Sequence, residues 1–305
     1  MQLSVVIITF NEEANIGRTL QSVQPLVAGR KGEIIVVDSG STDRTVEIAK
    51  SYGAKVFVEE WKGYAAQKNS AIGKAEWDWI LSLDADECID VVTAETIRDL
   101  ISKPDGLTPR QILKAESSDE SDSLETVERV MALEEARDEP FANKAEEIPV
   151  ALSGYWFSRK NFFLGRWIKH GGFWPDPKLR LFRHGYGRFE ERAVHETVKV
   201  DGYTAKVKRG AIVHNSYATL SDYIEHMNRY SSLGAEMVVA KGKVRFGFVN
   251  IVLRPVFTFI YNYFFRLGFL DGREGLLLHL YHAVYVSWKY AKAWELSRQK
   301  TTVSS

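Results

Sequence analysis

Cysteine is almost missing from this chain: Cys88 is the only one among 305 residues. No internal disulfide can form, which suits a reducing compartment. A net charge is missing too, with 40 basic residues against 40 acidic ones. The balance is uneven, however. Residues 115–147 hold 12 acids and three bases, so the remainder carries 37 bases and 28 acids. That basic remainder suits an anionic substrate or a membrane surface; nucleic acid is not among the expected partners. No secretory leader is expected, because the first apolar run, Val5 to Phe10, is short and has no basic residue before it. Long apolar runs are also lacking. Phe246–Phe265 is interrupted by Arg254, Pro255 and Asn262. Gly268–Tyr290 contains Asp271, Arg273, Glu274, two histidines and Lys289. Neither is a clean span of about 20 apolar residues. Finally, Phe10-Asn11-Glu12-Glu13 has none of the glycines that a dinucleotide-binding or nucleotidyltransferase loop needs after its first strand.

What is present is a buried strand running into carboxylates, Trp79-Ile80-Leu81-Ser82-Leu83-Asp84-Ala85-Asp86-Glu87. The apolar run predicts a strand inside a sheet. Alternation predicts that Asp84 and Asp86 point the same way. Two such carboxylates repel unless a cation lies beside them, and a hard divalent ion with phosphate oxygens as further ligands satisfies both. A strand-end turn with solvated acids is the plainer alternative. Further strands are predicted at Leu3–Phe10, Glu33–Val37 and Lys55–Val58, with helices between them, the first capped by Asn11. Alternating strands and helices over the first 90 residues imply a parallel sheet covered on both faces. Its strand ends gather Thr9, Asn11, Asp38, Asp84 and Asp86 at one edge.

Ser4-Val5-Val6-Ile7-Ile8-Thr9-Phe10-Asn11-Glu12, Ile34 to Asp43, Lys68-Asn69 and Leu83-Asp84-Ala85-Asp86-Glu87 stand in the order and spacing of family 2 glycosyltransferases. The chain resembles that family strongly over residues 1–90. Arg159 to Gly165, Lys178 to Arg183 and Val194-His195-Glu196 resemble its bacterial lipopolysaccharide-core branch. The resemblance implies a GT-A fold: an α/β, Rossmann-like, mostly parallel sheet flanked by helices, here with a C-terminal apolar helical extension that associates with membranes. It divides the chain into a nucleotide-sugar half (1–106), an acidic insertion (107–149), an acceptor half (150–235) and a helical C-terminal region (236–305). It also implies an inverting transferase that uses Mg²⁺ or Mn²⁺, moving a sugar from a nucleotide sugar, by default a UDP-hexose, to a lipid-linked glycan acceptor. The place implied is the cytoplasmic face of the inner membrane.

The same resemblance suggests roles. Asp38 is expected to accept from the base ring, with Thr9, Asn11 and Glu12 beside the nucleoside and Lys68 at phosphate or base. Asp86 is the expected direct metal ligand, with Asp84 at the ribose or the ion and His214 as a further metal or phosphate contact. Glu196 is the expected base, with His195 and then Glu191 as alternatives. Lys178, Arg180 and Arg183 could meet a phosphorylated acceptor or pair with Glu190 and Glu191. The aromatics from Tyr155 to Trp174 could fill a core or stack on sugar rings. The insertion reads as solvated, with a partner-binding helix as the alternative. The apolar C-terminal stretch, with ten bases against three acids from Lys241 to Lys300, suits a membrane interface, or else a buried helical hairpin. Two rivals share the N-terminal motifs: a polyprenyl-phosphate glycosyltransferase and a non-catalytic membrane scaffold.

Overall fold

The structure is a computed structural model that describes residues 2–29, 31–102, 152–190, 197–242 and 247–303. The expected insertion at 107–149 lies outside the described residues, as do Glu191, His195 and Glu196.

The first half follows the sequence pattern. Strand β1 (Leu3–Thr9) is buried along its whole length. Leu3, Val5 and Ile7 enter one core cluster, together with Ile16, Leu20, Val23 and Leu26 of helix α1 (Ile16–Val27). Val6 and Ile8 enter a second cluster on the opposite face. This is the period-two alternation of a sheet covered on both sides. Strand β2 (Gly32–Asp38) lies parallel beside β1, followed by α2 (Thr45–Ser51) and the edge strand β3 (Lys55–Val58). Helix α3 (Tyr64–Ile72) adds Ala65, Ala71 and Ile72 to the second cluster. Strand β4 (Trp79–Asp84) pairs parallel with the other side of β1.

After β4 the expectation of a mostly parallel sheet fails. The two-residue turn Ala85-Asp86 leads into β5 (Glu87–Ile89) and then α4 (Val91–Ser102). The long strand β6 (Leu152–Phe163) carries the short partner β7 (Arg166–Trp167). Strand β8 (Pro177–Arg183) runs antiparallel to both β4 and β6. Strands β9 (Gly187–Glu190) and β10 (Thr197–Val200) form a separate ribbon. Strand β11 (Tyr203–Tyr217) is parallel to β6 and antiparallel to β5. The nine-stranded sheet is therefore mixed, in the order β3-β2-β1-β4-β8-β6-β11-β5 with β7 on β6. Helical crossovers join the first four strands, whereas, among the described residues, β6, β8 and β11 follow one another without a helix between them, and β8 enters antiparallel.

This order forces curvature. Strands β4 and β5 stand four neighbours apart in the sheet. A flat sheet would separate them by about 19 Å at ~4.8 Å per strand. The chain from Asp84 to Glu87 reaches only about 10 Å at ~3.5 Å per residue. The sheet curls, and the Asp84–Glu87 segment closes the gap.

Helix α5 (Leu220–Ala240) opens with a complete capping box between Thr219 and Asp222. Residues 249–265 are helical, with π-turns on either side of α6 (Arg254–Ile260). Helix α7 (Gly272–Val303) returns along α5. Phe163, Ile168, Tyr223 and Leu278 form the core cluster that seats these helices on the end of β6. No helix of the described residues is long and apolar enough to cross a membrane. The stretch from Phe248 to Leu270 is not a buried hairpin either, since Phe248, Phe257 and Phe265 are 67%, 66% and 76% exposed.

Candidate functional site

Three strand ends meet at one edge, because Thr9 is in register with Asp38 and Ile8 with Asp84. The fully buried Asp38 carboxylate organises the loop after β2. Its Oδ2 accepts from the Gly40 amide at 2.9 Å and the Ser41 amide at 2.8 Å, and the Ser41 hydroxyl donates to Oδ1. Asn11 is not the cap of α1, as the sequence had suggested. At φ 54° it latches two loops together, donating its amide to Ser41 Oγ at 2.8 Å and accepting from the Thr42 amide at 2.8 Å. Helix α1 starts four residues later, after Asn15. The Glu12 amide donates to Thr45 Oγ1 at 2.7 Å, while its carboxylate accepts from Asn15. Burial, with the charges of Asp86, Asp43 and Asp84 nearby, raises the Glu12 pKa against the lowering by Asn15. Thr9 Oγ1 is buried there with no hydrogen-bond partner among the described residues.

Strand alternation does not place Asp84 and Asp86 on one side. Alternation requires extended backbone, and the chain turns at Ala85-Asp86. Asp84 receives Lys68 Nζ on one oxygen at 2.7 Å and Arg180 on the other at 2.6 Å. Burial opposes its ionisation, but Arg180 and Lys68 hold the carboxyl well below the usual range. Arg180 also reaches the fully buried Glu87 at 2.6 Å, and Arg159 meets the same Glu87 oxygen at 3.1 Å. Arg159 then pairs with Asp176 at 2.8 Å. Burial works against Asp176, yet Arg159 beside it brings its pKa to about 2. Lys68, expected at phosphate or base, thus serves Asp84 and lies 5.0 Å over the Phe189 ring. Arg180, expected to face an acceptor or Glu190 and Glu191, is a buried counter-ion instead. Lys178 pairs with Asp176, and Arg183 donates to the Leu152 carbonyl.

Asp86 pairs with His214 Nε2 at 3.1 Å. Neighbouring groups fix the tautomer of that imidazole. The Asn161 amide nitrogen donates to the Phe173 carbonyl and to Asp176, both pure acceptors. Asn161 Oδ1 therefore faces His214 Nδ1, at 2.8 Å, so Nδ1 carries the proton. With a cation in place of a proton at Nε2, His214 would present that lone pair beside Asp86 Oδ2. Cis ligands of an octahedral Mg²⁺ at ~2.1 Å are about 3.0 Å apart, so this pair fits one edge of such a sphere. Among the described residues no group of three or more His, Cys, Asp and Glu side chains could hold a metal, so the other ligands would come from substrate oxygens and water.

Helix α5 passes over this edge. Arg229 donates to the Tyr64 hydroxyl at the start of α3, and His226 stacks on Tyr230 at 4.2 Å. Burial, then Arg229, lowers the His226 pKa to about 4. On the other flank, Asn69 clasps the Phe189 backbone in both directions at 2.9 and 2.8 Å. Glu190 and Thr197 pair directly across the β9–β10 ribbon.

Comparison with known sequences decides the family, for the one described as Glycosyl transferase family 2 matches residues 4–163. The chain belongs to glycosyl transferase family 2. Like its family, it is a glycosyltransferase enzyme. It is 27% identical over 301 residues to the lipopolysaccharide core biosynthesis glycosyltransferase LpsC of Rhizobium meliloti, covering 97% of this chain and 93% of that one. An uncharacterized glycosyltransferase of Rickettsia felis is 51% identical over 86 residues, 28% of this chain and 29% of its own. Among solved structures, glucosyl-3-phosphoglycerate synthase from Mycobacterium tuberculosis, crystallised with Mn²⁺ and UDP, is 29% identical over 33% of this chain and 38% of that one, with a TM-score of 0.29. The UDP complex of S. aureus TarS residues 1–349 covers 98% of this chain and 92% of that one at 16% identity and a TM-score of 0.43.

For this family 2 transferase, sequence reasoning missed Glu87's burial and the roles of Arg159, Asn161, Asp176, Arg229 and His226. The available signals were Arg159 and Asn161 inside the Arg159–Gly165 motif and Glu87 at the end of Leu83–Glu87. The pairings of His214 with Asn161 and of Arg229 with Tyr64 span 53 and 165 residues and carry no local trace.

Proposed function

We propose that this glycosyltransferase moves a sugar from a nucleotide sugar, a UDP-hexose in the first instance, to a lipid-linked glycan of the cell envelope such as the lipopolysaccharide core. The reaction is a single displacement that inverts the anomeric centre. The observation that carries the reading is the Asp86–His214 pair at the sheet edge that also bears Asp38 and Thr9. Asp86 Oδ2 and His214 Nε2 would hold Mg²⁺ or Mn²⁺. When bound, such an ion neutralises the charge that develops on the leaving diphosphate. Thr9, Asn11, Glu12 and Asp38 shape the nucleoside side. Asp84 is neutralised by Lys68 and Arg180 and acts as a fixed brace, keeping Asp86 on its turn. Glu196 is the proposed base for the acceptor hydroxyl, ahead of His195 and Glu191.

The enzyme works, in this reading, at the cytoplasmic face of the inner membrane. Among the described residues, fifteen of the 24 large exposed apolar side chains lie between Phe248 and Leu280. The acids nearby are tied inward: Asp271 is buried against His170, and Glu274 pairs with Arg166. Arg254, Arg266 and Arg273 flank the apolar surface, a pattern that suits an anionic lipid interface.

A thermal-shift screen of UDP-, GDP- and CMP-sugars, each with and without Mn²⁺, tests the donor. A metal-dependent rise with one nucleotide class supports the reading, since a ligand bound only to the native state stabilises it by mass action. No rise with any of them counts against it. Glu196→Gln should abolish transfer and leave that rise intact.

A further inference from the structure

The His214 ring is a partition. Its Nε2 edge faces Asp86, and its Nδ1 edge faces Asn161 and Ser216, the latter at 2.7 Å. On the Nδ1 side lies a cavity of about 290 Å³. Its polar wall is Arg159, Asn161, Asp176 and Ser216, and its apolar wall includes Phe173 and Tyr217, with Leu278 of α7 closing one side. The volume lies at the low end for small-molecule sites, ~300 Å³, which suits one sugar ring and not a nucleotide. A lining that combines aromatic rings with a carboxylate, an amide and a guanidinium matches a pyranose, whose ring carries apolar C–H faces and a rim of hydroxyls.

The rim of the cavity is joined to the exposed apolar stretch. The Gly171 amide donates to the Arg266 carbonyl at 2.8 Å, and a side chain on Gly172 would run into the Arg266 guanidinium. Arg266 directly follows the exposed Phe264 and Phe265. A ring held in this cavity would therefore have its lipid anchor beside the part of the protein that suits lipid.

We propose that this cavity is the acceptor subsite and takes the sugar ring, at the end of a lipid-linked glycan, that receives the transferred group. The inference rests on the transferase reading and names its second substrate site. The nucleoside lies over Thr9 and Asp38, on the far side of the His214 imidazole. Acceptor and diphosphate then approach the anomeric carbon from opposite sides, as one in-line displacement requires. The acceptor oxygen bonds to that carbon, the bond from carbon to the diphosphate oxygen breaks, the hydroxyl proton passes to the base, and the nucleoside diphosphate departs with the electron pair.

The test uses the full chain with UDP and Mg²⁺ and, as acceptor probes, the methyl glycosides of glucose, galactose and mannose, read by saturation-transfer NMR. At least one glycoside should show transfer in the wild type. Leu278→Trp, which fills the cavity, should abolish that signal while UDP·Mg²⁺ affinity stays within about twofold. Leu278→Phe, a milder filling, should weaken it, and a cooperative melt shows that each variant is folded. Undiminished signal in both folded variants would overturn the proposal. So would displacement of the glycoside by UDP-glucose but not by UDP, which would give the cavity to the donor sugar. Failure of the wild type to bind UDP at all would instead refute the transferase reading on which the proposal stands.

Discussion

Replacing Arg180 with Met gives the sharpest test of the ion network. Arg180 is 5% exposed and bridges Asp84 and Glu87, each at 2.6 Å. Met keeps much of the apolar stem and removes the charge. Glu87, with no exposed surface, then keeps Arg159 as its cation and the Asp84 amide as a donor, and Asp84 keeps Lys68. Breaking one side of a buried pair costs about 3–5 kcal/mol. For a chain of this size that corresponds to a fall of roughly 6–20 °C in melting temperature. The deficit has a required pH dependence. The fold depresses the Asp84 pKa, so its contribution is present above the unfolded value near 4 and is lost as pH falls through the depressed folded value. Scanning calorimetry at pH 7.5 and about 2.5, well under the unfolded value, should show a large gap between wild type and variant at the higher pH and a smaller one at the lower. Adding Glu87→Gln should restore part of the loss by removing the orphaned charge. A variant that melts within ~2 °C of wild type at pH 7.5, the range of an ordinary surface change, would refute the reasoning. An equal gap at both pH values would refute it too.

Other substitutions bear on separate parts of the structure. Glu12→Gln should raise the melting temperature at neutral pH, because the fold raises the Glu12 pKa and so disfavours its charged form; the gain should vanish as pH falls below the unfolded value near 4. Gly171→Ala should destabilise by more than about 2 kcal/mol in urea unfolding, since Gly171 has φ 66° and a Cβ there would overlap the buried His279 ring. Phe257→Asp combined with Phe265→Asp, both well exposed, should leave stability within ~1 kcal/mol and abolish co-sedimentation with phosphatidylglycerol vesicles. Wild-type protein that ignores those vesicles would remove the lipid-facing reading of residues 248–270.

Much of this was written locally. The runs at Leu3–Thr9, Gly32–Asp38 and Trp79–Asp84 are mostly apolar because both faces of those strands are covered, and their polar ends had to share an edge once they paired in parallel. Asp84 and Asp86 were harder. Alternation put them on one side, but the chain turns at Ala85-Asp86 between β4 and the edge strand β5, where alternation no longer applies. Charge gave no help with Arg180, whose partners lie 96 and 93 residues away, so a β8 residue that looked ready for substrate is a buried counter-ion. The antiparallel β8 was invisible for a related reason: strand direction depends on connections, and those lie beyond the reach of a local pattern. His214 was marked by the family resemblance, but the proton on its Nδ1 follows from Asn161, Phe173 and Asp176 together.

The claim on which the rest depends is that Asp86 and His214 hold a divalent cation against a nucleoside diphosphate. Isothermal titration of UDP into wild type, Asp86→Ala and His214→Ala, each with and without Mn²⁺, measures it directly. Wild type should gain affinity from Mn²⁺, and both variants should lose at least about tenfold of that gain, ~1.4 kcal/mol, while the metal-free affinity stays put. An undiminished Mn²⁺ increment in Asp86→Ala would mean that the cation is held elsewhere, and the proposed site would be wrong.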